Sequence, residues 1–269
     1  MILPTRLVPT PHYRVWGTAQ TEPWHPNPER REIGEIWFAA SPNIPLLVKL
    51  LFTSGPLSVQ VHPEDDYARL HENSAGKTEM WHVLRAEPGA QVSLGLRERI
   101  TPERLREASL SGEIEQLLNW IPARPGDTFF VPAGTIHAIG GGLVLCEVQQ
   151  FSDVTYRLYD YGRGRELHLD HGMAVSSLEP FTPLAQKRVT EGVTLLAECP
   201  YFRTERLTVN GRIDCPVYPK PAIYVALEGE GLLAGQPFRP GDAWEVPAEA
   251  PPFLIESPYA AFLRTSEPQ

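Results

Sequence analysis

The chain has 269 residues and a formal net charge of −9, from 24 Lys and Arg against 33 Asp and Glu. Its 28 prolines and 21 glycines interrupt the sequence too often for long helices, which excludes a helical bundle and favours short strands joined by tight turns. The acidic balance without a basic run excludes a nucleic-acid partner, and no apolar run reaches the roughly 18 residues of a membrane span. Three cysteines without CxxC spacing favour a cytoplasmic location; they are Cys146, Cys199 and Cys215.

Short strands are predicted in the first hundred residues. An apolar run from Leu46 to Phe52 is followed by a Ser54-Gly55-Pro56 turn and a second strand from Leu57 to His62. Residues 78–84 and 90–94 show the same character, separated by turn residues. This part of the chain is therefore expected to be β-rich.

A helical insertion is predicted at residues 101–120. Thr101 can act as the N-cap with Pro102 at the first helical position, and Gly112 is expected to separate two short helices. Two further strands are predicted after it, at 128–131 and 143–150. The fold class is therefore all-β with a small helical insertion.

An internal repeat divides the chain. RPGDTFFVPAGTIH at 124–137 recurs as RPGDAWEVPAEAPP at 239–252, so we expect two related β-barrel units. The predicted domains are residues 1–165, with the insertion, and residues 166–269. The second copy has Glu249 and Pro252 where the first has Gly134 and His137. The second unit is therefore expected to be structural and to have no metal ligands.

Three segments of the first unit carry candidate metal ligands. On a strand, residues i and i+2 share a face, so Gln60 and His62 should project together, and so should Lys77, Glu79 and Trp81. The pattern Gly126-x5-Pro132-x-Gly134-x-x-His137 brings a further imidazole. Two histidines, a carboxylate and an amide oxygen suit a divalent cation. Zinc is the first choice, and the residue types leave Fe, Mn and Co open.

These segments also carry a resemblance. SVQVHP at 58–63, GKTEMW at 76–81 and SDVTYR at 152–157 closely resemble the short bacterial form of the type I mannose-6-phosphate isomerases. The glycine- and proline-framed segment that ends at His137 resembles the second conserved motif of the cupin superfamily. The likeness runs in order over residues 14–165 and implies two cupin, jelly-roll-like barrels.

The resemblance also implies a site and a reaction. One zinc ion per chain would be held by Gln60, His62, Glu79 and His137, and mannose 6-phosphate and fructose 6-phosphate would interconvert through an enediol. Glu147, six residues before Asp153, is then the first candidate for the base. The remaining implied catalytic residues are Arg157, which would stabilise negative charge, Asp153, which would orient Arg157 or relay protons, and Lys77, which would contact substrate.

Two other functions stay open on the sequence. The chain could isomerise another phosphorylated hexose, such as glucose 6-phosphate, or it could be a non-catalytic cupin that holds a metal and binds a sugar. A protein of this charge must gather local positive charge for a phosphate, and Arg157, Arg163 and Arg165 with Lys77 could supply it. The sequence leaves open whether the protein is a monomer or a dimer.

Overall fold

The computed structural model describes residues 3–182, 187–190 and 192–268. The chain forms two compact units: the central unit, residues 51–184, and the terminal unit, residues 1–50 together with 185–269. The boundary near Leu50 falls inside one strand. The barrel division at residue 165 stays a prediction. Among the described helices, none has the length and apolar character that a bilayer crossing requires.

Strands dominate both units, which confirms the predicted β-rich class. In chain order the strands are β1 Thr5–Arg6, β2 Thr10–Thr18, β3 Ile33–Ala39, β4 Leu46–Thr53, β5 Val59–Val61, β6 Glu79–Ala86, β7 Gln91–Leu96, β8 Leu118–Pro122, β9 Thr128–Val131, β10 His137–Ile139, β11 Leu143–Gln150, β12 Tyr156–Tyr159, β13 Lys187–Thr190, β14 Val193–Glu198, β15 Arg203–Cys215, β16 Ala222–Gly229, β17 Gly231–Leu233, β18 Gln236–Phe238, β19 Ala243–Val246 and β20 Phe253–Ser266. The helices are α1 Asp65–Glu72, α2 Pro102–Ser111, α3 Ile114–Leu117 and α4 Leu169–Val175.

Two antiparallel groups of strands build the central unit. One is the five-stranded sheet β12-β5-β10-β7-β8, and the other contains β6 between β11 and β9. The valines of β5, Val59 and Val61, pack into an apolar cluster with residues of the helical insertion. Because side chains alternate along a strand, Gln60 points to the opposite face of the sheet.

The helical insertion is confirmed, with one correction at its end. Thr101 Oγ accepts a hydrogen bond from the Arg104 backbone N–H at 3.2 Å, and Gly112 ends α2 in the left-handed conformation. The helical segment stops at Leu117 rather than at residue 120. Residues 118–122 instead pair with β7, with Trp120 opposite Ser93, because the sheet offers backbone partners that a last helical turn lacks.

The terminal unit is built on the antiparallel order β1-β19-β16-β20-β15-β14-β13, with β17 paired to both β18 and β20. Its interior is filled by buried apolar and aromatic side chains, among them Tyr224, Trp244 and Phe262. β2 pairs with β3 in antiparallel register, with Thr10 opposite Trp37. This unit therefore has an apolar core.

The sequence repeat corresponds to the same turn in each unit. The backbone N–H of Arg124 donates to Asp127 Oδ2 at 2.8 Å, and that of Arg239 donates to Asp242 Oδ2 at 3.0 Å. The third residue of each turn is a glycine at positive φ, 92° in Gly126 and 86° in Gly241, a region that L side chains rarely adopt. The repeated motif thus encodes one turn used twice.

Candidate metal centre

Three buried side chains from the two strand groups of the central unit converge on one point. His62 follows β5, His137 begins β10, and Glu79 begins β6; each is 1% exposed. Their ligand atoms all lie within 4.8 Å of one another. The fourth predicted ligand, Gln60, stands directly opposite His137 in the antiparallel register. The structure therefore brings all four residues together, a convergence that strand spacing predicted only for Gln60 and His62.

Both imidazoles are fixed in the tautomer that suits metal binding. His62 Nδ1 lies 2.8 Å from the Val154 carbonyl oxygen, and His137 Nδ1 lies 2.8 Å from that of Thr135. Since a carbonyl only accepts, each Nδ1 carries the proton and each Nε2 keeps its lone pair. This outer hydrogen bond is the usual support of a metal-binding histidine.

The ligand atoms of the carboxylate and the two imidazoles lie close enough to share one ion. His62 Nε2 lies 3.6 Å from Glu79 Oε2, and His137 Nε2 lies 3.5 Å from Glu79 Oε1. Two imidazoles and a carboxylate are ligands of zinc and of other divalent metals. The chemistry of the donor set therefore fits a divalent metal ion.

Gln60 can join the same site through its amide oxygen once the amide is rotated. Its Nε2 lies 3.2 Å from His137 Nε2, while its Oε1 accepts from Ser58 Oγ at 3.0 Å. Rotating the amide by half a turn would present Oε1 to the centre, and the Ser58 hydroxyl can then accept from Nε2. The buried Ser58, which the sequence did not indicate, thus serves both orientations.

Lys77 contacts two of the ligands. Its Nζ lies 3.0 Å from His62 Nε2 and 2.9 Å from Glu79 Oε2. Burial acts to lower the pKa of Lys77, but the carboxylates of Glu79, Glu147 and Asp153 outweigh it and raise that pKa. The side chain is therefore a cation beside the centre.

His137 is neutral at physiological pH. Burial is the main cause that lowers its pKa to about 4, and the nearby Lys77 charge lowers it further. The neutral imidazole is the form that binds a metal, so the protein holds this ligand ready without first releasing a proton.

Glu147 is buried beside the centre, on the strand β11. It stands opposite Trp81 in the register, so the two side chains share a face, and Trp81 Nε1 donates to Glu147 Oε2 at 3.1 Å. The edge of the Trp81 ring system also contacts the His137 ring, with 5.5 Å between centroids. Trp81 therefore contacts both the predicted base and a predicted ligand. Strand alternation placed Trp81 on the face of Glu79 but did not indicate its hydrogen bond to Glu147.

Arg157 lies on the ligand-bearing face of the five-stranded sheet. It stands opposite Gln60 in the register of β12 and β5, and its Nη1 donates to the Glu166 carbonyl at 2.7 Å. Its Nε is buried and has no hydrogen-bond partner among the described residues. A buried donor left in this state costs about 1–3 kcal/mol, so it is suited to meet an acceptor brought by a ligand.

The other two arginines of this segment are engaged by one carboxylate. Arg163 Nη2 lies 2.8 Å from Asp160 Oδ1, and Arg165 Nε donates to Asp160 Oδ2 at 2.8 Å. Asp160 is itself buried. These ion pairs shape the loop and occupy the two guanidinium groups that the sequence offered for a phosphate.

Comparison with known proteins finds several relatives, and all of those described below are named mannose-6-phosphate isomerases. The chain is 38% identical over 229 residues to the mannose-6-phosphate isomerase ManA of Bacillus subtilis, an alignment that covers 79% of this chain and 72% of ManA. It is 37% identical over 198 residues to the mannose-6-phosphate isomerase of Streptococcus mutans, covering 70% and 62% of the two chains. No protein-family profile matches the chain.

The solved structures agree with the sequence relatives. The fold is similar to the crystal structure of the mannose 6-phosphate isomerase from Bacillus subtilis, with a TM-score of 0.87, 26% identity and coverage of 98% of this chain and 99% of that one. This match confirms the cupin fold expected from the sequence. With the ligand cluster and the relatives at 37–38% identity, it shows that the chain belongs to the mannose-6-phosphate isomerase family.

Proposed function

We propose that this protein interconverts D-mannose 6-phosphate and D-fructose 6-phosphate and uses one zinc ion per chain. The observation that carries the proposal is the buried His62, Glu79 and His137 group, whose ligand atoms lie within 4.8 Å of one another. The names of the relatives supply the substrate, and the fixed tautomers of the two imidazoles favour a metal. Gln60 completes the set of four ligands.

The metal would supply a Lewis acid or an orienting centre for the sugar oxygens when it is bound. The chain's own residues must then move protons between C1 and C2 and stabilise the charge of an enediolate. Glu147 is the proposed base, because it is a buried carboxylate beside the ligands that does not belong to the ligand set.

Three further residues complete the proposed catalytic group. Arg157 would place its unpartnered Nε against the enediolate or another anionic atom of the substrate. Lys77 would contribute a buried positive charge next to the sugar. The charge of Asp153 raises the pKa of Lys77. We therefore assign Asp153 to a proton relay or to balancing the positive charge of this lysine.

Metal removal tests the proposal. The purified protein is treated with a chelator, dialysed, and assayed for conversion of mannose 6-phosphate before and after single additions of zinc, cobalt, manganese and iron. We expect turnover to disappear with the metal and to return most fully with zinc. Full turnover after exhaustive metal removal would exclude the metal-dependent reaction.

Matched variants and substrates make the assay specific. H137A should lose both metal and turnover, whereas H71A, which removes an exposed imidazole of α1, should keep both. Glucose 6-phosphate assayed in parallel separates the two hexose substrates. A preference for glucose 6-phosphate would overturn the substrate assignment. Zinc binding with neither exchange of the C2 proton into solvent nor its transfer to C1 would identify a sugar-binding protein.

A further inference from the structure

His168 forms two hydrogen bonds with the backbone of Arg157, one through its side chain and one through its own backbone. The Arg157 N–H donates to His168 Nδ1 at 3.1 Å, and the His168 N–H donates to the Arg157 carbonyl at 2.8 Å. β12 is the edge strand of its sheet, so these two groups of Arg157 point away from β5. An edge strand leaves such groups without sheet partners, and His168 supplies both a donor and an acceptor there.

The loop before His168 holds the guanidinium of the same arginine. Asp160 binds Arg163 and Arg165, which closes the turn after β12. The returning chain then brings the Glu166 carbonyl to Arg157 Nη1 at 2.7 Å. The segment from residue 160 to residue 168 therefore fixes both the backbone and the side chain of Arg157, while Nε has no hydrogen-bond partner within the described part of the chain.

Close packing of α4 holds His168 in place. His168 is the N-cap residue of this helix, and its carbonyl accepts from the Gly172 N–H at 2.8 Å. A Cβ atom at Gly172 would come within 2.4 Å of a Leu158 methyl carbon on β12. Only a residue without a side chain lets the helix lie this near the strand, so Gly172 sets the distance across which His168 reaches Arg157.

We propose that His168 is a positioning residue that holds Arg157 in its catalytic geometry. The inference rests on the role given to Arg157 in the proposed function. Catalytic groups lose much of their effect when they shift by about 1 Å. An arginine on an edge strand has freedom to shift unless its backbone is bound from the outer side, and His168 provides that bond.

The proposed role requires a neutral imidazole, because Nδ1 must accept the Arg157 N–H. Burial lowers the pKa of His168, and the positive charge of Arg157 lowers it further. The other groups that act on this pKa are Glu166, His171 and Glu72, and the Tyr156 ring faces the imidazole at 6.3 Å between centroids. The environment therefore favours the accepting form.

Three variants of the 269-residue protein loaded with zinc test the inference. H168A should lower kcat for mannose 6-phosphate by about 10- to 100-fold with metal content unchanged. H168N should recover kcat to within about threefold of wild type, because Oδ1 of asparagine can accept the same backbone N–H. H171A is the matched control: it removes an imidazole from the same helix that stacks on Tyr156, and its kcat should stay within about twofold of wild type.

A double-variant cycle separates positioning from a merely structural role. If His168 acts through Arg157, H168A should cost little further turnover once R157A has removed the guanidinium, since coupled residues are not additive. Equal losses in both backgrounds, or a wild-type kcat in H168A, would overturn the inference. R157A at wild-type turnover would instead refute the role of Arg157 in the proposed function, so the two failures are distinguishable.

Discussion

At the scale of single residues, Glu79 is expected to bind the metal and Glu147 to act as the base. Both carboxylates are buried in the same unit, but Glu79 faces the two histidines and Glu147 accepts from the Trp81 indole. We expect E147Q to keep its zinc and to lose about 10²- to 10⁴-fold in kcat, the range for losing a general base. The glutamine keeps an oxygen for the indole N–H, so the change removes basicity with little change of shape. Paired measurements of kcat and metal content check it.

E79Q provides the contrast. Replacing a carboxylate ligand by an amide should lower metal content and turnover together, because a neutral ligand binds the cation less tightly. Loss of zinc in E147Q, or a kcat equal to wild type, would contradict the assignment of Glu147 as a base outside the ligand set.

The grouping of the predicted ligands could be anticipated from the sequence in part, because some of their geometry is local. Gln60 lies on β5 and His62 two positions later, directly after the strand. The glycines and prolines before His137 mark the turn that precedes β10. The groups that hold the ligands were not predictable in this way. Val154 reaches His62 from 92 positions away, and a backbone carbonyl leaves no signal in the residue type.

At the scale of elements, the contribution of the contact between the helical insertion and β12 to stability can be measured by substituting two glycines. Gly112 and Gly89 both have positive φ, 83° and 85°. An added Cβ at Gly112 would meet the Tyr159 hydroxyl at 2.8 Å, whereas at Gly89 it would meet nothing within 4 Å. We expect G89A to cost about 1–2 kcal/mol of unfolding free energy from backbone strain alone. G112A should cost at least about 1 kcal/mol more, because Tyr159 must also move.

Urea unfolding of the two variants under identical conditions gives this comparison. Equal losses of unfolding free energy would show that the end of α2 does not depend on its contact with Tyr159. Wild-type turnover per folded molecule is expected in G89A, since its turn carries no residue of the proposed site.

Elements with strong local signals followed the sequence, and those set by distant contacts did not. Thr101, Pro102 and Gly112 carry cap and stop signals, and the insertion begins and divides where they stand. Residues 118–120 were predicted as helix, but pairing with β7 makes them a strand. The local preference of so short a segment is weak compared with a row of backbone hydrogen bonds.

At the scale of the whole molecule, the two units differ at the positions equivalent to the candidate site. Val131 and Val246 occupy the same position of the repeated motif, and their register partners are Glu79 in the central unit and Ala222 in the terminal unit. Likewise Trp81 faces Glu147, whereas Tyr224 faces Arg264. The terminal unit therefore has a methyl group in place of a ligand and an arginine in place of the proposed base.

In the terminal unit, the arginine at the position equivalent to Glu147 belongs to an ion network around the buried Glu205. Glu205 binds Arg264 through Nε at 3.0 Å and Arg203 through Nη2 at 2.8 Å, and Arg264 also donates to the Tyr218 hydroxyl. Burial acts to raise the pKa of Glu205, but its bonds to Arg264 and Arg203 outweigh this and hold the pKa below the usual 4.5. The network thus depends on an ionised carboxylate.

E205Q tests whether this network stabilises the protein independently of the reaction. Neutralising Glu205 leaves the partly buried Arg264 without this carboxylate partner, and breaking a fully buried pair in this way costs about 3–5 kcal/mol. We expect a loss of roughly 3 kcal/mol at pH 7 in urea unfolding, at the low end because glutamine keeps one acceptor. Turnover per folded molecule should be unchanged, because every proposed site residue lies within residues 51–184.

The stabilisation by Glu205 should also depend on pH in a definite direction. A carboxylate with a depressed folded pKa contributes its full stability above the unfolded value of 4.5, and this contribution is lost as pH falls through the lower folded pKa. The difference between wild type and E205Q should therefore be largest at neutral pH and should shrink below pH 4.5. D214N, which removes the charge partner of the exposed Arg212, should cost less than about 1 kcal/mol at any pH. A wild-type advantage over E205Q that grows on acidification would contradict the ionised network.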